Sequence, residues 1–154
     1  MKDLFGKDIV KNSVRRGRRI GFDLDGSLNC FTIEEYNKCE TEEDRVSYLT
    51  YLPTRENPFN YLDKEDKGYI ITARAKKYMK ITIDWLAKNR ILFPIHFASH
   101  NESWETDEQF HEEVPVLKAK KINDLKLHKY YDDDEKIVLQ LRRLCPSTEI
   151  VLWK

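Results

Sequence analysis

Residues 19–27 read Arg19-Ile20-Gly21-Phe22-Asp23-Leu24-Asp25-Gly26-Ser27, a short apolar run that ends in two acids and a glycine. The apolar run predicts a buried strand, and the acidic, glycine-containing end predicts a turn directly after it. Because Asp23 and Asp25 are two positions apart in extended chain, their carboxylates point to the same side. The stretch therefore predicts a strand that delivers a pair of acids to one edge of a sheet.

Strands and helices are predicted to alternate along the rest of the chain. Apolar runs predict strands at 68–73, 91–97, 127–131 and 148–153, and helical periodicity predicts helices at 33–50 (broken near Glu40), 76–89, 116–125 and 135–144. Within 76–89, the spacing of Met79, Ile83 and Leu86 places these three side chains on one helix face. This alternation predicts an α/β fold, a Rossmann-like three-layer sandwich around a central, mainly parallel sheet.

Composition and charge are those of one globular domain, 1–154. The 154 residues are 40% hydrophobic and 35% charged, which excludes a disordered chain. Lys+Arg and Asp+Glu both number 27, so no global attraction to nucleic acid or to acidic membranes is indicated. No run of 18 apolar residues exists, and residues 1–19 lack the apolar stretch of a secretory signal. The basic segment 11–19 is expected to be a solvated terminus.

Three cysteines, Cys30, Cys39 and Cys145, occur without a C-x-x-C pair. An odd number at these spacings argues against a disulfide framework or a zinc site. Free thiols are typical of the reducing cytoplasm, which is where we expect the protein.

The paired acids Asp23 and Asp25 suggest metal-assisted chemistry at phosphorus. Two adjacent carboxylates repel each other unless a cation such as Mg²⁺ neutralises them. One carboxylate could then attack phosphorus, the other could protonate the leaving oxygen, and Gly26 would permit a tight turn that leaves amides for phosphate oxygens. An ordinary surface turn is the alternative. A calcium loop is excluded because Leu28 occupies its glycine position.

Further candidates fall at other strand ends, where open α/β sheets bind ligands. Asp132-Asp133-Asp134 could be a metal site, which would use the first one or two acids, or a solvated helix start. Thr72 could hold a phosphate oxygen or simply favour a strand, and Arg74 could clamp phosphate or form a surface salt bridge. Lys118 could stabilise charge at the site, although it lies in a lysine-rich helix.

The ordered set resembles the haloacid dehalogenase (HAD) superfamily of phosphatases. The first motif of that family matches residues 20–27, the second matches Tyr69-Ile70-Ile71-Thr72, and the acidic pair of the fourth matches Asp132 and Asp133. The resemblance implies that Asp23 is the nucleophile, that Asp25 is the general acid and base, and that Thr72 binds phosphate. It also implies a Mg²⁺ cofactor on Asp23, Asp132, Asp133 and the main-chain carbonyl of Leu24, with that of Asp25 as the alternative.

For the motif lysine, the resemblance points to Lys118, with Lys120 and Lys121 as rivals. Asp134 leaves the acidic pair with a one-residue ambiguity in register. About 45 residues separate the first two motifs, so at most a small cap fits, within 28–58. If this segment forms a lid, the residues expected to touch the leaving group are Tyr36, Tyr48, Tyr51 and Arg55.

Two branches look most similar, the 5′(3′)-deoxyribonucleotidase-like group and the 3′-phosphatase domain of polynucleotide kinase-phosphatases. They share the Ile71-Thr72-Ala73-Arg74 motif or the helix that follows it. The basic segment 15–19 and the aromatic content favour a nucleotide or a nucleic-acid phosphate end as substrate. The alternatives are a non-catalytic binding or regulatory module, a phosphatase of another small phosphometabolite, and transfer of the phosphoryl group to an acceptor other than water. No membrane partner is expected, and the oligomeric state is left open.

Overall fold

The computed structural model of the chain describes residues 17–154, so the part of the predicted basic terminus before residue 17 lies outside the described residues. Parallel strands form one central sheet in the order β3-β2-β1-β4-β5. They are β1 (Arg19–Phe22), β2 (Lys67–Thr72), β3 (Ile95–Phe97), β4 (Lys129–Asp132) and β5 (Glu149–Leu152). Helices cover both faces, which confirms the predicted α/β sandwich.

The helices are α1 (Ile33–Asn37), α2 (Glu42–Thr50), α3 (Met79–Lys88), α4 (Asp107–Asp124) and α5 (Glu135–Leu144), with 3₁₀ turns at Pro58–Tyr61 and Lys76–Tyr78. Side-chain oxygens of Thr32, Thr41, Thr106 and Asp134 accept amide hydrogen bonds at the starts of α1, α2, α4 and α5. Among the helices of residues 17–154, none combines the length and the apolarity needed to cross a membrane.

Each face of the sheet carries its own apolar core. Ile20 and Phe22 of β1 pack with Trp85 and Trp153 on one face. Tyr130 packs with residues of α4 and α5 on the other face. Gly21 lies between Ile20 and Phe22 in β1 and pairs with Tyr130 of β4. A Cβ added at Gly21 would be 3.0 Å from the Tyr130 ring and 2.5 Å from the Leu127 side chain. This close approach allows β4 to pack tightly beside β1.

Two predicted elements have different bounds in the structure. β3 begins at Ile95 instead of residue 91, because Arg90 takes a left-handed conformation (φ 61°) after α3 and Pro94 has no amide for the ladder. α4 begins at Asp107, well before the predicted residue 116. Thr106 caps it there, and Pro115 lies buried inside the helix without ending it.

The predicted apolar face of α3, formed by Met79, Ile83 and Leu86, is only partly buried. Leu86 is buried, but Met79 and Ile83 are 44% and 47% exposed. The helix packs through Thr82, Trp85 and Leu86 instead, and the Trp85 indole donates a 2.8 Å hydrogen bond to the carbonyl of Leu52. The hydrogen bond from Trp85 fixes the rotation of the helix, and in this orientation Met79 and Ile83 are left exposed.

Residues 28–58, called the cap segment below, contain α1 and α2. A single antiparallel bridge between Asn29 and Thr54 joins the two ends of the segment. Leu49 and Leu52 bury it against the same core as Trp85. The segment is therefore anchored on the sheet while α1 extends over the carboxyl ends of the strands. Its assignment as a cap within a single domain stays a prediction.

Candidate active site

A cavity of about 530 Å³ opens at the carboxyl ends of β1, β2 and β4. Asp23, Asp25, Thr72 and Asp132 line its floor, and residues of the cap segment and of the 103–107 loop line its sides. Since these groups follow three adjacent parallel strands, the cavity lies where open α/β sheets bind ligands.

A buried lysine joins two of the acids. Lys118 Nζ donates to Asp23 Oδ1 at 2.8 Å and to Asp132 Oδ2 at 2.7 Å, and all three residues are at most 6% exposed. The Tyr130 hydroxyl donates to the same Asp132 oxygen at 2.9 Å, and the Asp134 amide donates to Asp132 Oδ1 at 3.0 Å. Asp132 is thus fixed by three donors, whereas the second oxygen of Asp23 lies 3.0 Å from the Ser27 hydroxyl.

In this network two carboxylates, Asp23 and Asp132, share one lysine, so negative charge is in excess. Burial, followed by repulsion from Asp132, raises the pKa of Asp23 well above its ordinary value, and Lys118 only partly offsets this. For Lys118 burial acts to lower the pKa, but attraction to Asp132 and Asp23 outweighs it and raises the pKa above its ordinary value. The lysine therefore stays charged, and the site has room for another positive charge.

Asp133 completes a group of three acids that could hold a metal ion. One carboxylate oxygen from each of Asp23, Asp132 and Asp133 lies within 4.8 Å of the others. The Ser27 hydroxyl is 3.0 Å from Asp23 Oδ2 and 2.9 Å from Asp133 Oδ1, and with one proton it donates to one of them at a time. Oxygen donors of this kind are compatible with a hard divalent cation.

Asp25 is held separately, by a bidentate pair. Arg74 donates from Nε to Asp25 Oδ2 at 3.0 Å and from Nη2 to Asp25 Oδ1 at 2.5 Å. Its Nη1 donates to the Thr82 hydroxyl at 3.0 Å, and the Asn29 amide adds a 3.0 Å bond to Asp25 Oδ1. Arg74 therefore acts here as a clamp on Asp25, and its guanidinium is directed at that carboxylate.

Backbone groups shape the turn after β1. Gly26 has φ +83°, and an added Cβ would be 2.5 Å from Asp133 Oδ2, so glycine is needed there for conformation and for space. Its amide donates to Asn29 Oδ1 at 3.0 Å. The carbonyl of Leu24 accepts from the amides of Ser27 (3.2 Å) and Leu28 (2.9 Å). Among the described residues, no turn hydrogen bond engages the carbonyl of Asp25, which favours it over Leu24 as a possible ligand.

Solved structures provide a comparison for this arrangement. A chain in a structure of the Pnkp1/Rnl/Hen1 RNA repair complex matches with a TM-score of 0.63 and 14% identity, over 99% of this chain and 44% of that chain. A chain in a structure of the Pnkp1/Rnl/Hen1 complex matches with a TM-score of 0.53 and 14% identity, over 92% and 47%. This chain therefore shares the fold of those two chains.

This chain spans less than half the length of those two structural neighbours. A weaker likeness, with a TM-score of 0.47 and 15% identity, is to the HAD domain of effector protein Lem4 from Legionella pneumophila, over 91% of this chain and 86% of that chain. No family model matches the sequence, and no curated protein does.

The geometry of the site distinguishes among the candidate residues that the sequence left open. Of the three lysines, Lys118 reaches the acids, whereas the Lys120 side chain is 73% exposed and pairs with Asp124. Asp134 caps α5 and receives a 2.7 Å bond from His111 Nε2, so it lies outside the group of three acids. Thr72 is buried, its Oγ1 accepts from the Arg74 amide at 3.1 Å, and it lines the cavity.

Several residues at this candidate site were not predicted from the sequence. Ser27, Asn29 and Tyr130 hold the acids in place, and the Ser99 hydroxyl donates to the carbonyl of Arg74 at 2.7 Å. His111 lines the cavity, and the carboxylate of Asp134 raises its pKa against the opposing effect of burial. These contacts join residues that are far apart in the sequence, so no local sequence pattern predicts them. Lys118 had a signal: it is four residues from both Val114 and Ile122, on the buried stripe of α4.

The four cap residues expected near a leaving group lie in different places. Tyr36 lines the cavity, and its hydroxyl is 3.0 Å from that of Ser103. Tyr48 instead supports the backbone of Thr32, and Tyr51 is 74% exposed. Arg55 Nη1 donates to the carbonyl of Gly26 at 2.6 Å. Of the four, Tyr36 is the one placed to touch a bound molecule.

Proposed function

We propose that the protein is a Mg²⁺-dependent phosphomonoester hydrolase that uses Asp23 as its nucleophile. The observation that carries the proposal is the buried Asp23 carboxylate at the end of β1, one oxygen of which is held by Lys118 beside two further acids. A fixed carboxylate with its charge offset nearby is suited to attack a phosphorus atom.

The acids fit a divalent cation. The pKa of Asp23 is raised because burial and Asp132 leave its negative charge insufficiently compensated, and a cation among the three acids would supply the compensation. Asp23, Asp132, Asp133 and the carbonyl of Asp25 or Leu24 would hold Mg²⁺. When bound, Mg²⁺ neutralises the phosphate and aligns it for in-line attack.

The reaction then proceeds in two steps on the side chains of this chain. A carboxylate oxygen of Asp23 forms a bond to phosphorus while the bond to the leaving oxygen breaks, and Asp25 gives that oxygen its proton. Asp25 next takes a proton from water as the water oxygen attacks phosphorus, which breaks the Asp23–phosphorus bond and releases phosphate. Lys118 and the hydroxyl of Thr72 stabilise the charge on the phosphoryl oxygens and on Asp23.

A nucleotide or a nucleic-acid phosphate end is the substrate class that we propose. Aromatic side chains line the cavity, and bases stack on such rings. The likeness to a chain of an RNA repair complex supports the same class. The cavity volume of about 530 Å³ is within the range of small-molecule sites.

Phosphate release in the presence of Mg²⁺ tests the proposal. The panel holds p-nitrophenyl phosphate, 3′- and 5′-mononucleotides, 3′-phosphorylated oligonucleotides and sugar phosphates. Asp23→Asn should lower kcat by about 10⁴-fold or more, as expected when a nucleophile is lost. Asp124→Asn, which removes an exposed carboxylate from α4, is the matched control and should behave as wild type.

Full activity of Asp23→Asn would overturn the proposal. Mg²⁺ binding is measured in parallel by calorimetry on the folded protein. If Mg²⁺ binds and no compound is hydrolysed, the result favours a non-catalytic binding module.

A further inference from the structure

The electrostatics of the cavity suggest which members of the proposed substrate class it accepts. Seven carboxylates and three basic side chains line the cavity within residues 17–154. The basic residues are Arg74, His111 and Lys118. With Asp25 protonated as the proposed mechanism requires, His111 protonated and a divalent cation bound, the negative charges still exceed the positive charges by one.

The basic side chains are also already engaged. Arg74 pairs with Asp25, Lys118 pairs with Asp23 and Asp132, and His111 pairs with Asp134. Arg55, an exposed cation of the cap segment, binds the carbonyl of Gly26 and is not part of the lining. No described basic side chain of the lining therefore remains to receive a second anionic group.

Two carboxylates that take no part in the acid network lie at the rim. Glu105, in the loop before α4, and Asp107, the first residue of α4, line the cavity, and both are solvent-exposed. Asp107 Oδ1 also lies 3.3 Å from His111 Nδ1, so His111 is shared between Asp107 and Asp134. A molecule that fills the cavity with its phosphate at Asp23 therefore lies in the same cavity as these two carboxylates. Like charges near a protein surface repel each other, and salt weakens the repulsion.

The same cavity offers contacts to an uncharged ring. Phe31 and Tyr36 of the cap segment and Tyr78, Trp104 and Phe110 of the core line it. Tyr36 meets Ser103 at 3.0 Å, and Lys77 lies between Glu42 of α2 (3.2 Å) and Glu102 (2.7 Å). These links join the cap segment to the 100–106 loop beside the aromatic side chains of the cavity.

We infer that the cavity selects phosphomonoesters whose leaving group carries a ring and no second anionic group, and that Glu105 and Asp107 determine this specificity by rejecting the second anion. The inference rests on the proposed function and narrows it to mononucleotide-sized monoesters. A polynucleotide end, with a phosphodiester next to the scissile phosphate, is disfavoured.

Matched thymidine compounds test the inference. The 3′,5′-bisphosphate contains both the 3′-monophosphate and the 5′-monophosphate, so only the added anion distinguishes it from the better of the two. Its kcat/KM should be lower by about tenfold at low ionic strength, and the ratio should approach one as salt is raised, because salt screens like-charge repulsion. A 3′-phosphorylated oligothymidylate should behave as the bisphosphate does.

Substituting Glu105 and Asp107 tests whether these two residues cause the discrimination against the bisphosphate. Glu105→Gln combined with Asp107→Asn should reduce the ratio of mono- to bisphosphate by at least about threefold, since one repulsive contact is removed at each position. Glu108→Gln combined with Glu112→Gln removes the same charge from exposed positions of α4 outside the lining, and should leave the ratio as in wild type.

The outcomes separate the two proposals. A bisphosphate or oligonucleotide that is preferred at low salt and loses its preference as salt rises would indicate a cationic binding surface and overturn the inference, as would an unchanged ratio in the rim variant. Loss of all Mg²⁺-dependent hydrolysis, including that of p-nitrophenyl phosphate, would instead remove the proposed function. In that case the ratio is measured as Kd values by calorimetry on Asp23→Asn, with and without the rim substitutions, and the same criteria apply.

Discussion

Gly26 combines two demands on a single residue, a left-handed backbone and the absence of a side chain beside Asp133. Gly26→Ala should destabilise the protein by about 1 kcal/mol through backbone strain. It should also weaken Mg²⁺ binding by roughly 10-fold or more, because the new methyl group displaces an acid of the metal group. Thermal unfolding and Mg²⁺ calorimetry measure the two effects.

Gly26→Asn separates these effects, since Asn tolerates left-handed backbone better than Ala does. It should recover part of the stability and none of the Mg²⁺ affinity. Equal Mg²⁺ affinity in wild type and both variants would show that Asp133 does not depend on the space at Gly26.

Arg74 is expected to act through Asp25. Arg74→Lys keeps the charge but loses the two parallel hydrogen bonds, so Asp25 should be poorly placed to protonate a leaving group. We expect kcat to fall by about 10²-fold with an alkyl phosphate and much less with p-nitrophenyl phosphate, whose leaving group needs little protonation. An equal loss with both substrates would point to phosphate binding by Arg74 instead.

For single residues, the sequence predicted which side chains lie at the ends of strands better than it predicted their hydrogen-bond partners. The positions of Asp23, Asp25 and Thr72 at the ends of strands follow from local patterns. The bonds from Ser27 to Asp133 and from Lys118 to Asp23 span 106 and 95 positions, so the local pattern carried no information about them.

Between elements, a buried carboxylate fastens the start of β1 to the turn before β2. Asp66 accepts from the Arg18 amide at 2.8 Å, from its guanidinium at 2.9 Å and from the Asp63 amide at 2.9 Å. Burial alone would raise the pKa of Asp66, but these bonds outweigh it and lower the pKa below its ordinary value of 3.8. The ionised carboxylate therefore stabilises the folded state.

Asp66→Asn should accordingly destabilise the protein at pH 7, by roughly 1–3 kcal/mol for bonds to a charged group. Because the pKa is lowered in the folded state, the stabilisation is complete above pH 3.8 and is lost as the pH falls through the folded-state pKa. Urea unfolding of both proteins at pH 7 and near pH 3 measures this. Asp124→Asn, at an exposed ion pair, should change stability by less than about 0.5 kcal/mol; a difference for Asp66→Asn that grows with acid would contradict the prediction.

Elements with one clear periodicity were predicted well. α5 begins and ends at the predicted residues because Ile137, Val138 and Leu141 form an unbroken buried face. α3 could not be oriented in the same way, since Trp85 and Thr82 are fixed by polar partners outside the helix. The start of α4 was not predicted, because a proline at position 115 normally argues against a continuous helix, although Thr106 is a suitable N-cap.

Across the whole molecule, the three thiols should differ in reactivity. Burial raises the pKa of Cys145 to about 11, and its side chain is fully buried between α4, α5 and the sheet. Cys30 is exposed. A maleimide at pH 7.5 should therefore label Cys30 at least about 10³-fold faster than Cys145, which becomes accessible only when the core opens.

Mass spectrometry of peptides from native and urea-unfolded protein gives the two rates. Cys145→Ala identifies the slow site. Rapid labelling of Cys145 in the native protein would show that the α5 face of the core opens readily.

The class of fold was predictable from alternation alone, but the arrangement was not. The sequence contains no indication that β1 lies between β2 and β4, because that order depends on contacts across the whole chain. The link from Lys77 to Glu42 and Glu102 is equally invisible in sequence, since each of these charges resembles any solvated surface residue.

The central position of β1 also has a consequence for synthesis. One neighbour of β1 is β4, which begins at Lys129, so the sheet stays incomplete until that late segment has left the ribosome. At typical rates of about 5–20 residues per second, the interval lasts several seconds. During it the nascent chain displays an unpaired strand edge and an Asp23 without its lysine partner. The ribosome therefore releases Asp23 long before the groups that we propose activate it, and a chain stalled midway has the carboxylate without those partners.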